Sequence, residues 1–574
     1  MLIKFLNFVR RIFFQTIRSP KKIILVISVL ILLTAIVAVY DRQKDPLAFY
    51  NKHHALIQFV QKLSNILYFP YWFSASHLER YDLVIDQQDW DFLDSNLPST
   101  YEGQTLTSQY RQEVRAKFVA GDKEYAVKVR YRGEMDNHWR DPQKSWLIDF
   151  GKEKFYGAKE IHLIIPIDRA YLIEEFNYYR ARKVGLVVPE TKFVNFFVNG
   201  ERQGVYWQID GWGKDMLVKQ NISEKTNLYG GIDSIIEILK NKVSYFDDIR
   251  YWRKYAEANK SYSDLISLLE IVNNPLDSYF QENIGKILDL NNFYQWQINQ
   301  FLVSSIHETD ANLRLYFDST IGKFKFIPWD IELGETPPPF TEIKYNRLVT
   351  RILENPIFLH ERNKLLWVYV GNPQNLADDL EYYDELDNLT KNDFYKDNKK
   401  VESDPAYRQK IKEMRKTIIA DFNHVKNNVE NAAAQVTVKM SKPKEMTMEL
   451  ASTGFSAVNL NKIKIKADNC DQKIKIFHDV NKNEIYDSAD KFLSFFSCQD
   501  NIYQAKLDFL VYAIKDSSDP NYLKLGRNAE KLILVAEQSF DQKILADKQI
   551  AFEISNAVTG GTIKDVPIKF IYDF

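Results

Sequence analysis

At 574 residues the chain is too long for one hydrophobic core, so two or three domains are expected. Its 45% apolar and 27% charged residues are globular proportions and exclude a wholly disordered chain. A formal charge of -1 argues against a nucleic-acid partner, which would call for a basic surplus.

The first predicted element is a membrane segment. Residues 23–40 are apolar apart from Ser28 and Thr34, and as a helix they nearly cross a hydrocarbon core. Lys4, Arg10, Arg11, Arg18, Lys21 and Lys22 precede the run, so 1–22 reads as a basic cytoplasmic segment and 23–40 as a single-pass signal anchor with the bulk of the chain extracytoplasmic. A cleaved signal peptide is the competing reading and leaves the bulk on the same side. Residues 41–79 read as a linker.

From residue 80 the pattern turns to strands, at 81–85, 113–119, 125–132, 145–150, 161–165, 193–198 and 204–209. Val127 and Val129 alternate with Lys128 and Arg130 in the third of these. Asn199-Gly200 predicts a tight hairpin between the last two. Helical patterns follow from about 260, including 290–306 with Phe293, Trp296, Phe301, Leu302 and Ile306, and 405–434 with apolar residues every three or four positions from Ile411 to Val429. Strands return after residue 435. The expected fold class is α+β: a domain at 80–435, then a β-sandwich module at 436–574. Cys470 and Cys498 fall in that module and can pair in an oxidising compartment, although spacing alone does not show that they meet.

The chemistry concentrates around one predicted hairpin. His307-Glu308-Thr309-Asp310-Ala311-Asn312 ends a helix, Leu313 to Phe317 leads into a turn, and Lys323-Phe324-Lys325-Phe326-Ile327-Pro328-Trp329-Asp330 returns. Two acids flanking one hairpin can serve in-line phosphoryl transfer, with Asp330 as principal ligand of Mg²⁺ or Mn²⁺, Asn312 and Glu332 as further oxygen ligands, and Asp310 accepting or orienting the substrate hydroxyl. The labels on Asp310 and Glu332 are exchangeable at this stage. Arg132-Gly133 closes one strand and Lys144 stands at the exit of the loop that follows, where a cation can lie over phosphates. A glycan hydrolase using the acid pair is a further reading, and the lysine loop and Asn312 fit it less well.

The succession Arg132-Gly133, Pro142-Gln143-Lys144-Ser145-Trp146-Leu147-Ile148, Val198-Asn199-Gly200-Glu201-Arg202-Gln203-Gly204-Val205-Tyr206, Asp310-Ala311-Asn312-Leu313-Arg314-Leu315-Tyr316 and Pro328-Trp329-Asp330 resembles the CotH kinase family of spore coat protein H-like atypical kinases. The resemblance spans roughly 80–430. It implies a distant protein-kinase-like fold that moves the γ-phosphate of ATP to Ser or Thr of a protein substrate. By it, Lys144 is both catalytic and phosphate-binding, Arg132 and Asp210 belong to the nucleotide side, Asp310 is the catalytic acid and Asp330 holds the metal. The acid expected after the Gly-Val-Tyr strand is Asp210, whose short reach bears on its pairing with Lys144, and the acid after Trp329-Asp330 is Glu332 where the family has Asp. The alternative function is a catalytically inactive kinase-like surface adhesion or scaffold protein.

A second motif runs from Asp479 to Asp490. Asp479, Asn481, Asn483, Asp487 and Asp490 fall at positions 1, 3, 5, 9 and 12, with the carbonyl of Ile485 at position 7, which is the spacing of an EF-hand-type Ca²⁺ loop. Glu484 occupies the usual glycine position and Asp490 replaces the bidentate Glu. With strands on both sides, the expectation is a Ca²⁺-braced β-module.

Overall fold

The computed structural model describes residues 62–98, 105–140, 142–231, 244–303, 312–331, 346–516, 524–541, 544 and 549–572. The apolar run at 23–40 lies outside them. Among the described residues no helix is long and apolar enough to cross a membrane. The chain divides into two compact units, one made of residues 1–74 and 401–407 and the other of 75–400 and 408–574. In the described part of the first, Ser64–Phe73 winds as a 3-10 helix and the Asp404 N–H donates to Asn65 at 2.7 Å.

The second unit opens with β1 (Glu79–Val84), α1 (Gln87–Ser95), β2 (Val114–Ala120), β3 (Lys123–Tyr131), β4 (Trp146–Asp149), β5 (Glu160–Ile164), α2 (Ile173–Lys183), β6 (Thr191–Val198) and β7 (Glu201–Asp210). These seven strands close into a barrel in the order β1-β2-β3-β4-β5-β7-β6, and the parallel pairing of β1 with β6 is the seam. Closure fits the alternation of side chains. Val127, Val129 and Tyr131 point into the apolar interior with Trp146, Phe196 and Tyr206, which leaves Arg130 and Arg132 on the outer face. Asn199 and Gly200 both take positive φ, 50° and 82°, the conformation a two-residue β6–β7 turn requires.

After α3 (Lys214–Lys219), a four-stranded sheet follows in the order β11-β10-β8-β9, built from β8 (Asn227–Gly231), β9 (Trp252–Ala256), β10 (Arg314–Asp318) and β11 (Lys323–Phe326). Between β9 and β10 lie α4 (Ser263–Asn273), α5 (Asp277–Ile287) and α6 (Leu290–Phe301). The last is locked to the β10–β11 hairpin: Trp296 stacks on Phe326 at 4.8 Å between ring centroids, and the Phe326 N–H donates to Asn292 Oδ1 at 2.7 Å. Four more helices follow, α7 (Arg347–Glu354), α8 (Pro356–Val370), α9 (Pro373–Lys396) and α10 (Asp404–Glu430).

The C-terminal strands are β12 (Ala434–Lys442), β13 (Glu445–Ser452), β14 (Val458–Lys466), β15 (Ile474–His478), β16 (Lys491–Phe495), β17 (Ser497–Gln499), β18 (Ile502–Val511), β19 (Asn528–Ala536), β20 (Ile550–Asn556) and β21 (Ile568–Tyr572). They form a six-stranded and a four-stranded sheet around one apolar core, the expected sandwich. Cys470 and Cys498 are bonded, with Cα atoms 5.6 Å apart. The sandwich is docked on the helices, where Phe455 joins Phe301, Leu366 and Phe422 in one cluster and Asn556 Nδ2 donates to the Val429 carbonyl at 2.9 Å.

Candidate active site

The β10–β11 hairpin delivers its two ends to one place. Asn312 precedes β10, Asp330 follows β11, and Asn312 Nδ2 donates to Asp330 Oδ2 at 3.3 Å. The approach to Asp330 is fixed on both sides. Trp329 packs edge-on against Trp212 at 4.9 Å, with the Arg314 guanidinium over both rings. Beyond Asp330, buried Ile331 is held by α2, its carbonyl taking Asn177 Nδ2 at 2.8 Å and its N–H facing Glu174 at 3.4 Å. Asp330 itself has φ of 58°, a left-handed conformation that directs its carboxylate away from the strand path. Asp310 and Glu332 lie outside the described residues.

Opposite Asp330 stands Arg169, on the 3-10 turn Pro166–Arg169 that follows β5. Its guanidinium pairs with Asp330 Oδ1, with Asp168 Oδ2 at 2.7 Å and with Glu174 Oε2 at 3.2 Å. One cation thus meets three carboxylates in a place where Arg169 is only 14% exposed, a setting in which charge-assisted pairs are strong. The network continues through Asp168, which takes a hydrogen bond from Asn137 Nδ2 and faces His138 Nε2 at 3.4 Å. His138 Nδ1 lies 3.1 Å from Ser145 Oγ, and the Ile165 N–H donates to that oxygen at 3.2 Å. A carboxylate can only accept, so the neutral ring carries its proton on Nε2, toward Asp168, and Nδ1 takes the Ser145 Oγ–H. Burial pushes His138 down to about 4, with Asp168 opposing, so the ring is neutral near pH 7.

Arg132 stands beside this network on the barrel's outer face. Burial pushes its guanidinium down to about 10, and Asp168 pulls the other way. Gly133, with φ of 97°, is the residue that lets His138 in: a Cβ there would lie 2.2 Å from His138 Cβ. The Arg132-Gly133 pair thus joins a charge at the site to the backbone shape that seats the histidine.

Lys144 and Asp210 go elsewhere. Lys144 shares the parity of Trp146, so it turns toward the barrel interior, over the Tyr131 ring at 5.4 Å and 3.4 Å from Asp94. Asp210, 2% exposed, accepts from Lys219 at 2.6 Å. Burial raises the Asp210 carboxyl, with Lys219 opposing. Through β5, Asp210 is level with Ile148, four residues past Lys144, which is about 13 Å along the strands. The pairing of Lys144 with Asp210 implied by the resemblance is therefore not formed, because the two residues belong to opposite ends of the barrel.

Two other stretches behind the resemblance meet at a different point. Gln143 Nε2 and the Val205 N–H both donate to Asp397 Oδ2 at 3.0 Å, and the carboxylate is 2% exposed. Gly204, with φ of 120°, leaves no room for a side chain, since a Cβ would sit 2.3 Å from that same oxygen. Gln143 and Gly204 thus join the barrel to the end of α9.

In the loop after β15, Asp479 is fully buried and accepts from the N–H groups of Asn483 at 3.1 Å and Glu484 at 2.8 Å. Asn481 and Asn483 donate their amides to Asp487 Oδ2 at 3.0 and 2.8 Å, and Asp490 Oδ2 accepts from the Asp487 N–H at 2.8 Å. Glu484 adopts φ of 63°, the conformation usually left to glycine at that position, and its carboxylate leaves the loop for Lys531 at 2.6 Å. Among the described residues no three His, Cys, Asp or Glu side chains gather as a metal cluster. A cation here would depend on the Asn481 and Asn483 amide oxygens after a flip, together with the Ile485 carbonyl.

Sequence reading passed over Asp168, Arg169, Glu174 and His138. The available signal was Pro166-Ile167-Asp168-Arg169, a charged pair directly after a strand end.

Compared with known proteins, residues 129–464 match the family model described as CotH kinase protein, which is more than half of the chain. The chain is also similar to the inner spore coat protein H of Bacillus subtilis (strain 168), with 24% identity over 269 residues that make up 44% of this chain and 73% of that protein.

Proposed function

The chain belongs to the CotH kinase protein family, and from that premise we propose that it is a membrane-anchored, extracytoplasmic atypical kinase that transfers the γ-phosphate of ATP to Ser or Thr of surface or coat proteins. The observation that carries this reading is the meeting of Asn312 and Asp330 at one end of the hairpin, with Arg169 against them.

The donor set suits a hard divalent ion. Asp330 offers a carboxylate, Asn312 an amide oxygen once its side-chain amide flips, and Asp310 and Glu332 add oxygens in the neighbouring sequence. Bound there, Mg²⁺ or Mn²⁺ would neutralise phosphate charge and orient the nucleotide. Arg169 holds Asp330 in place through the carboxylates of Asp168 and Glu174 and adds positive charge beside it, and Arg132 extends that charge along the barrel face. Lys144 draws its proposed phosphate contact from its place at the loop exit and from the resemblance, whereas Arg132 and Arg169 draw theirs from the network around Asp168. Asp310 accepts the proton as the substrate hydroxyl oxygen bonds to the γ-phosphorus and the β,γ-bridging bond breaks. The Asp479–Asp490 loop takes Ca²⁺ in this reading, as a brace for the sandwich.

The full chain in nanodiscs, given labelled ATP, Mg²⁺ or Mn²⁺ and a Ser-rich acceptor protein, tests the proposal. Wild type should incorporate phosphate and Asp330→Ala should lose it by about 10²-fold or more. Equal, background incorporation by both would leave the inactive scaffold as the better account.

A further inference from the structure

The 3-10 helix Ser64–Phe73 has the sequence Ser-Asn-Ile-Leu-Tyr-Phe-Pro-Tyr-Trp-Phe and buries none of its residues. Ile66, Leu67 and Phe73 are 71%, 74% and 78% exposed, and Phe69 and Trp72 are about half exposed. Single apolar residues on a surface are ordinary, but an unbroken run of them in water is not. The helix contains no charged residue, so it lacks the polar face of a typical surface helix. Phe69 packs edge-on against Trp72 and Phe73, at 6.0 and 5.2 Å, which makes an aromatic cluster within the helix itself.

We propose that Ser64–Phe73 is an interfacial element that lies in the headgroup region of the outer leaflet, a proposal that rests on reading 23–40 as the membrane anchor. Trp and Tyr concentrate at that depth because each carries an apolar ring and a polar group, and Phe and Leu reach past them into the acyl boundary. Five of the ten residues are aromatic, with Tyr68, Phe69, Tyr71, Trp72 and Phe73 in one short stretch. The intervening chain, 41–63, keeps the helix within about 80 Å of the anchor even when fully extended. The stretch Ser64–Phe73 carries no arginine and no charged side chain, and its nearness in sequence to the anchor favours lipid over a protein partner.

Depth-dependent fluorescence quenching on the full chain reconstituted in phosphatidylglycerol and phosphatidylethanolamine vesicles tests the proposal. A nitrobenzoxadiazole label is placed at Leu67→Cys, with Val368→Cys, 71% exposed on α8, as control; the two native cysteines are bonded to each other. Doxyl-labelled lipid should quench the Leu67 label by about half or more, with a blue-shifted emission, and leave the Val368 label unchanged. If the protein floats with the vesicles while the Leu67 label reads as aqueous, the interfacial role is overturned and the anchor stands. A label that is blue-shifted but untouched by doxyl lipid would mean that a second copy or another protein covers the helix, which also overturns it. If the protein does not float with the vesicles, the anchor reading fails and takes this inference with it.

Discussion

In the proposed mechanism a divalent cation would compete with Arg169 for Asp330 Oδ1. Arg169→Gln should therefore lower the Mg²⁺ concentration for half-maximal phosphate incorporation by up to about tenfold, while raising the KM for ATP through the lost positive charge. An unchanged Mg²⁺ requirement would show that the ion pair does not gate the site. A second residue gives a pH test. Asp421, in α10 and 1% exposed, has one carboxylate oxygen without a hydrogen-bond partner, and burial pushes it up to about 7 against the pull of Arg180. The folded state keeps this proton up to about 7, while the unfolded chain releases it near its ordinary value of 3.8, so stability falls as pH rises between the two. Asp421→Asn removes that loss, worth about 3–4 kcal/mol at pH 8, and its Tm should exceed that of wild type there but not at pH 4. His138 has the opposite sign: held down to about 4, it makes stability fall as pH drops from about 6.5 toward 4. Residue identity announced Asp330 and Asn312 because oxygen donors near strand ends are readable. Arg169 showed only as half of a charged pair after a strand end, and its meeting with Asp330, like that of Gln143 with Asp397, was not readable, since each spans more than a hundred residues and no periodicity encodes it.

At the scale of elements, the joint of Gln143, Gly204 and Asp397 has a direct test. Gly204→Ala forces a Cβ into the Asp397 carboxylate at a positive φ, and should destabilise by about 2–4 kcal/mol, read as a lower denaturation midpoint. The Asp479–Asp490 loop makes a separate prediction. Millimolar Ca²⁺ should raise Tm by several degrees in wild type and not in Asp479→Ala, and chelation should reverse the gain. A response to neither addition nor chelation would leave the loop as a hydrogen-bonded turn. Elements were the most legible level. The strand alternation, the Asn199-Gly200 turn, the helix at 405–434 and the strand run after 435 all have counterparts in the fold, because each rests on local patterning. Parity separates Lys144 from Ser145, so the lysine faces the barrel interior while its neighbour joins the His138 network, a division the reading of Lys144 as a phosphate contact did not use.

Across the larger unit, the sandwich is attached to the helices through Phe455 and Asn556 and stapled within itself by Cys470–Cys498. Reduction, or Cys470→Ser, should destabilise by about 3–4 kcal/mol from the 28-residue separation alone, read as a lower Tm. Closure of the barrel was the part no local signal carried, since the parallel seam joins β1 to a strand more than a hundred residues later.

That seam bears on how the chain can be divided. Shared ancestry is marked from residue 129 to 464, yet 129 falls inside β3 and 464 inside β14. A polypeptide cut at those limits would lose β1 and β2, leave β6 with a bare flank and split the sandwich, presenting unsatisfied backbone to any neighbour. It should precipitate where a version beginning at residue 75 stays in solution, so what inheritance conserves here is smaller than what must be synthesised for any of it to stand.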